Sequence, residues 1–160
     1  MRLNTWIIMG VLVASTGCGS DADGSSGQGG NDMAQMVSAT SGAQLSAEGV
    51  VDVAVPAGAV TMDTEISIEL VDTDEAPKPE LLLSQGVQLK PEGLNFDTPI
   101  SLSLRFNTSG VPDMSKVKLA WFDEGQNAWM PLADSSVDAN AGSVSATTGR
   151  TGLFGAVYDD

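Results

Sequence analysis

From Val50 to the end of the chain, apolar side chains recur at every second position. In the stretch from Thr64 to Leu70, Ile66, Ile68 and Leu70 alternate with Glu65, Ser67 and Glu69. From Ile100 to Phe106, Ile100, Leu102, Leu104 and Phe106 alternate with Ser101, Ser103 and Arg105. Val51, Val53 and Val55 share one face, and so do Val117, Leu119 and Trp121. Ser143 to Thr147 and Leu153 to Tyr158 read as two further strands. A period of two places one side of a strand in a core and the other in water. Turn signals separate these runs at short intervals, as at Glu124-Gly125-Gln126-Asn127 and Asn140-Ala141-Gly142. No segment carries a convincing helical stripe, and only Pro112 to Lys116 suggests a single helical turn. The pattern predicts an all-β domain, an antiparallel β-sandwich with immunoglobulin-like layering, over residues 42–160.

Two turns are better defined than the rest. In Val55-Pro56-Ala57-Gly58-Ala59, the proline sets φ at the first corner and the glycine closes the turn. Pro91 and Gly93 repeat the arrangement, Phe96 follows as a plug for the end of the sandwich, and Pro99 is expected at the first residue of a strand. The spacing Pro91-x-Gly93-x-x-Phe96-x-x-Pro99-Ile100-x-Leu102, preceded by Gly49-Val50 and the Pro56 turn, resembles the ZU-five domain of zonula occludens proteins, netrin receptors and ankyrins. The resemblance covers roughly Ala43 to Phe106, with a compatible tail to Tyr158. It implies a β-sandwich used for protein–protein contact, without chemistry of its own in most members. Some relatives cut their own chain at a His-Phe-Ser sequence. The corresponding Arg150-Thr151-Gly152 has neither His nor Ser, so the resemblance implies no self-cleavage here. Bacterial copies commonly continue into a Trp-rich hairpin, as Ala120 to Leu132 does.

The first 41 residues have a different grammar. Arg2 precedes an apolar run from Trp6 to Ala14, and small residues lead to Cys18. This is the layout of a secretory signal, with an apolar run too short to span a bilayer. Ser15-Thr16-Gly17-Cys18 resembles the lipobox of bacterial lipoproteins, with Ser15 where Leu is usual. That resemblance implies cleavage after residue 17, acylation of Cys18 and insertion of its acyl chains into a lipid bilayer. Ser15 and Gly17 also satisfy the ordinary signal-peptidase rule, which would release a soluble protein with a free thiol. A lone cysteine in an oxidising compartment favours the lipoprotein reading. Gly19 rather than Asp follows the cysteine, which by resemblance to enterobacterial lipoproteins implies the outer membrane. Residues 18–41 are rich in Gly, Ser and Asp and read as a flexible tether with a span on the order of 25 Å.

Composition narrows the function classes. Seven Lys and Arg stand against 21 Asp and Glu, for a net charge of −14. Nucleic acid is therefore not an expected partner, because phosphate contact needs clustered cations. An acidic surface favours solubility and attracts cations or basic partners. Histidine is absent, which excludes Ser-His-Asp and Cys-His catalysis and His-bearing zinc sites.

Three groups of residues are candidate sites. Asp72, Asp74 and Glu75, with Glu80 nearby, lie in a loop bounded by Pro77 and Pro79 and are the candidate calcium ligands; a solvated acidic loop is the preferred reading. Asp97-Thr98-Pro99 begins like an aspartic-protease loop, but proline forbids that turn and there is no second copy. Trp121 is assigned to the core beside Leu119; for Phe122 and Trp129, core packing or cross-strand pairing in the hairpin is the preferred reading, with a role as contact aromatics as the alternative. No catalytic residue and no cofactor is expected. The expectation is a non-catalytic binding module on a bacterial envelope, anchored through Cys18, with an envelope protein or a glycan as partner. A carbohydrate-binding module is the alternative, and a small secreted hydrolase the second alternative.

Overall fold

The computed structural model describes residues 33–159. The expected signal segment 1–17, Cys18 and the expected tether up to residue 32 lie outside the described residues. Eleven strands follow in order: β1 Met33–Val37, β2 Ala43–Ala47, β3 Val51–Val55, β4 Thr64–Val71, β5 Gly86–Lys90, β6 Asn95–Arg105, β7 Val117–Asp123, β8 Ala128–Pro131, β9 Ser136–Asp138, β10 Ser143–Arg150 and β11 Leu153–Tyr158. They form two antiparallel sheets, one of six strands in the order β1-β4-β5-β11-β7-β8 and one of five in the order β2-β3-β6-β10-β9. The expected all-β sandwich is therefore the observed architecture.

The period-two runs supply the core between the sheets. Ile66, Ile68, Val87, Leu89, Leu119 and Phe154 face inward from the six-stranded sheet, and Val51, Val53, Ile100, Leu102, Leu104 and Val144 from the other. Each of these is fully buried, and burial of such a side chain stabilises by about 1.5–3 kcal/mol. Phe96 joins this core as expected.

Several expectations are corrected. The folded unit includes residues ahead of 42, because β1 pairs along β4 from Met33↔Ile68 to Val37↔Thr64. Only Val37 of that strand is buried, so the strand rests on backbone pairing and leaves no apolar alternation to read. The turn from β1 to β2 carries the chain from one sheet to the other. There Gly42 has φ +69°, and a Cβ on it would stand 2.2 Å from the Val55 carbonyl oxygen. Pro99 lies within β6 rather than at its start. Its missing N–H is tolerated because β10 slips register between Thr148 and Arg150 and β3 pairs only with residues 101–104. Strands β2, β5 and β9 were missed as well: β2 alternates Ala with one Leu, and β5 and β9 have two and one apolar residues at alternate positions. The expected helical turn is the 3₁₀ turn Met114–Lys116, capped by Asp113, whose carboxylate accepts from the Ser115 N–H at 2.9 Å.

Among the described residues no helix is long and apolar enough to cross a membrane.

Candidate functional site

Three turns meet at one end of the sandwich: residues 91–94 between β5 and β6, the tip of the β7–β8 hairpin, and residues 150–153 between β10 and β11. Thr151 ties two of them together. Its N–H donates to the Leu94 carbonyl at 2.9 Å, its hydroxyl donates to the Pro91 carbonyl, and its Oγ1 accepts from the Leu94 N–H at 3.0 Å. Thr151 is buried, and both its polar groups are satisfied, so the two turns are held in one arrangement.

The hairpin tip is fixed by its own side chains. The Asp123 carboxylate accepts from the Gly125 N–H at 2.9 Å, the Gln126 N–H at 3.2 Å and the Gln126 side-chain amide at 2.9 Å. These bonds hold its carboxyl below the ordinary value of 3.8; the Gln126 side chain is the largest cause, and the positive charge of Arg150 adds to it.

Between the turns lies a cleft of about 710 Å³, lined among others by Trp121, Phe122, Asp123, Glu124, Glu92 and Arg150. Trp121 is half-buried at the end of the inward face of β7. Arg150, on the opposite sheet, lays its guanidinium over the Trp121 ring, 4.7 Å from the centroid. A cation at that distance is attracted by the ring quadrupole. The cleft therefore combines an aromatic wall, one cation and three carboxylates, on turns held by local hydrogen bonds.

The hairpin aromatics Phe122 and Trp129 pair across β7 and β8, in line with the preferred reading of the sequence. Trp129 is buried, and its indole N–H donates to the Pro77 carbonyl at 2.9 Å. Phe122 is half-buried and meets Trp129 edge-on, with centroids 5.3 Å apart and planes at 64°. Trp129 is thus a packing residue, and Trp121, which packs against the main core as expected, also lines the cleft. The signal was available in its position at the last inward place of β7, where the sandwich ends and packing is incomplete.

The acidic loop also has another role. Asp72 accepts from the Gln85 side chain at 3.0 Å, and its carbonyl accepts from the Glu75 and Ala76 N–H groups. Asp72, Asp74 and Glu75 do not assemble a cation cage: among the described residues no three acidic or thiol groups are placed to hold a metal ion. Asp97 and Thr98 are exposed, and Thr98 donates to the Gly58 carbonyl at 3.4 Å. Cys18, the expected lipidation site, lies outside the described residues.

No curated relative matches the chain in sequence. The family model of the ZU5 (ZU-five) domain matches residues 33–121, from the first residue of β1 to the cleft tryptophan. That match spans more than half of the chain, agrees with the sandwich and takes in strands β1 to β6 and most of β7, so the chain belongs to the ZU5 domain family.

Proposed function

We propose that the protein is a non-catalytic binding module, tethered to a bacterial envelope by a lipid on Cys18, that engages a partner through the cleft at the sandwich end. Family and fold suggest an interaction module. The observation that carries the reading is the half-buried Trp121 under an exposed Arg150, in a cleft two of whose three turns are tied together by Thr151. Aromatic and arginine side chains in concave, rigid settings are the residues that dominate binding energy at protein interfaces. The order of the chain supports display on a membrane, with a signal layout, Cys18 and a polar stretch ahead of β1. Two or more acyl chains on Cys18 would hold the protein stably in a bilayer. The outer membrane is the proposed location, on the ground of Gly19 after the cysteine.

The carbohydrate alternative needs exposed rings for a sugar to stack on. Trp129 is buried and the Trp121 face is covered by Arg150, which weakens that reading.

The test is a capture experiment with the full processed chain immobilised against solubilised envelope from the source cell. The expected result is one stoichiometric protein retained by the wild type and lost with Trp121→Ala. Retention that is indifferent to Trp121, or an eluate of glycan alone, would overturn the assignment of the cleft. Anchoring is checked separately: palmitate should label the wild type and not Cys18→Ser, and equal unlabelled secretion of both would show the ordinary signal cut.

A further inference from the structure

The charges around the cleft select among partners. Glu92 and Glu124 are exposed on its rim, and neither forms an ion pair among the described residues. Asp123 completes a set of three carboxylates, and Arg150 is the one Lys or Arg among the lining residues. An anionic ligand would meet three like charges there, in a protein whose net charge is already −14. A cationic ligand would meet complementary charge.

Arg150 shows how such a ligand would be held. Its guanidinium is stacked on Trp121, and among the described residues that side chain makes no hydrogen bond and no salt bridge. Its two hydrogen bonds are both from the backbone, one at the N–H and one at the carbonyl. A guanidinium held by a ring face and the field of one carboxylate, with its five donors left to solvent, is displaceable. The same ring face and the same carboxylates would give an incoming guanidinium both stacking and charge-assisted hydrogen bonds.

Building on the proposal that the cleft is the binding site, we infer that its occupant is an arginine-bearing, positively charged segment of a partner protein, which takes the place of Arg150 on the face of Trp121. Arg150 then acts as an internal competitor that keeps the ring covered when no partner is present. Arginine is preferred over lysine because a planar guanidinium both stacks and presents a donor fork to a carboxylate.

The probe is a capped peptide, Gly-Arg-Gly-Arg-Gly-Arg, titrated into the full processed chain and followed by calorimetry and by tryptophan fluorescence. Its Lys and Glu counterparts serve as comparisons. The Arg peptide should bind with the Lys peptide several-fold weaker, and the Glu peptide should not bind. Trp121→Ala should weaken the Arg peptide by about three- to tenfold. The surface pair Glu92→Gln with Glu124→Gln, which leaves the packing untouched, should weaken it by a similar factor, about three- to tenfold. Arg150→Ala should tighten it, because the competing cation is gone. Glu65→Gln with Glu75→Gln, which removes the same charge elsewhere, should change nothing. Equal affinity for the Arg and Lys peptides in wild type and Trp121→Ala, or weaker binding by Arg150→Ala, would overturn the inference by reducing it to general attraction to an acidic surface. If the envelope protein captured by the cleft is competed off by the Glu peptide and not by the Arg peptide, the cleft stands as a binding site and its cationic occupant does not. If nothing captured depends on Trp121, the binding-site reading itself fails.

Discussion

The two outer faces of the sandwich are finished in opposite ways. On the six-stranded sheet, Ala120 of β7 and Val157 of β11 are buried beneath Ala76, Leu82 and Trp129, which form a second, smaller core on the side away from the main one. The segment between β4 and β5 lies across this face as a strap. It is held by the Trp129 indole N–H to the Pro77 carbonyl at 2.9 Å and the Leu83 N–H to the Ala156 carbonyl at 2.8 Å. The Ala156 N–H in turn donates to the Ser84 hydroxyl at 3.0 Å. Gly155 lies at the centre of the patch, and a Cβ there would stand 2.4 Å from a Leu82 methyl and 3.3 Å from the Trp129 ring.

On the five-stranded sheet, the outer face is bare. Ser46, Asp52, Ser103, Ser145 and Ser136 succeed one another across all five strands in register, each beside the next. These side chains are short and polar, and the Ser46 hydroxyl donates to Asp52 at 2.6 Å, so the face needs no apolar cover. The difference teaches that a sheet acquires a strap where its outward residues are apolar and small, and stays open where they carry hydroxyls.

The sharpest way to break the comparison is to remove the pin of the strap. Trp129→Ala should cost about 3–5 kcal/mol in a urea melt, since it leaves a cavity and orphans the Pro77 carbonyl. Hydrogen exchange should then rise at Leu83 and Ala156 while β6 and β10 stay protected; unchanged exchange would show that the strap stands without the tryptophan. Gly155→Ala should follow, at about 1–3 kcal/mol, because the added methyl must push Leu82 and Trp129 outward. Were the strap only a solvated loop, that substitution would be nearly silent.

A smaller effect distinguishes the bare face by pH. The Asp134 carboxylate accepts from the Thr147 N–H at 2.9 Å and from the Thr147 hydroxyl, and these bonds, the hydroxyl first, hold its carboxyl below the ordinary value of 3.8. A carboxyl depressed in the folded state stabilises the fold above its unfolded pKa, and that contribution disappears as the pH falls through the lower folded value. Wild type should therefore melt above Asp134→Asn at pH 6, and the gap should close as the pH drops below 3.8. A gap that is constant with pH would assign the effect to geometry and not to charge. The smallest effect is expected in the middle of the bare face, where Ser103→Thr should stay within about 0.5 kcal/mol of wild type.

The period-two runs made the main core legible because an inward side chain on one sheet needs nothing but its own alternation to be recognised. The helical turn around Pro112 to Lys116 was legible too, as a feature local in the chain, whereas its cap Asp113 came from the structure. The strap was not. Its composition from Asp72 to Glu80 is acidic and proline-rich, and its two buried anchors, Ala76 and Leu82, are six residues apart with no periodicity. The cleft was half legible: the pairing of Phe122 with Trp129 and the packing of Trp121 beside Leu119 could be read from the strand pattern, but the cover of Trp121 by Arg150 could not. Sequence alternation gives the face of a residue on its strand. It does not say where the sandwich ends or which outer face is covered.

By itself, the order of residues determined an acidic all-β domain with its core faces, and it excluded histidine-dependent chemistry. It also placed Cys18 behind a short apolar run, which carries the proposal of an anchor. Those features are local in the chain, set by composition and by spacing of two. Only the tertiary structure decided that β1 belongs to the domain, that Trp129 pins a strap, and that Arg150 of one sheet covers Trp121 of the other. Such contacts join residues far apart in sequence, and which of them form depends on the order of strands in the two sheets, which no local pattern encodes.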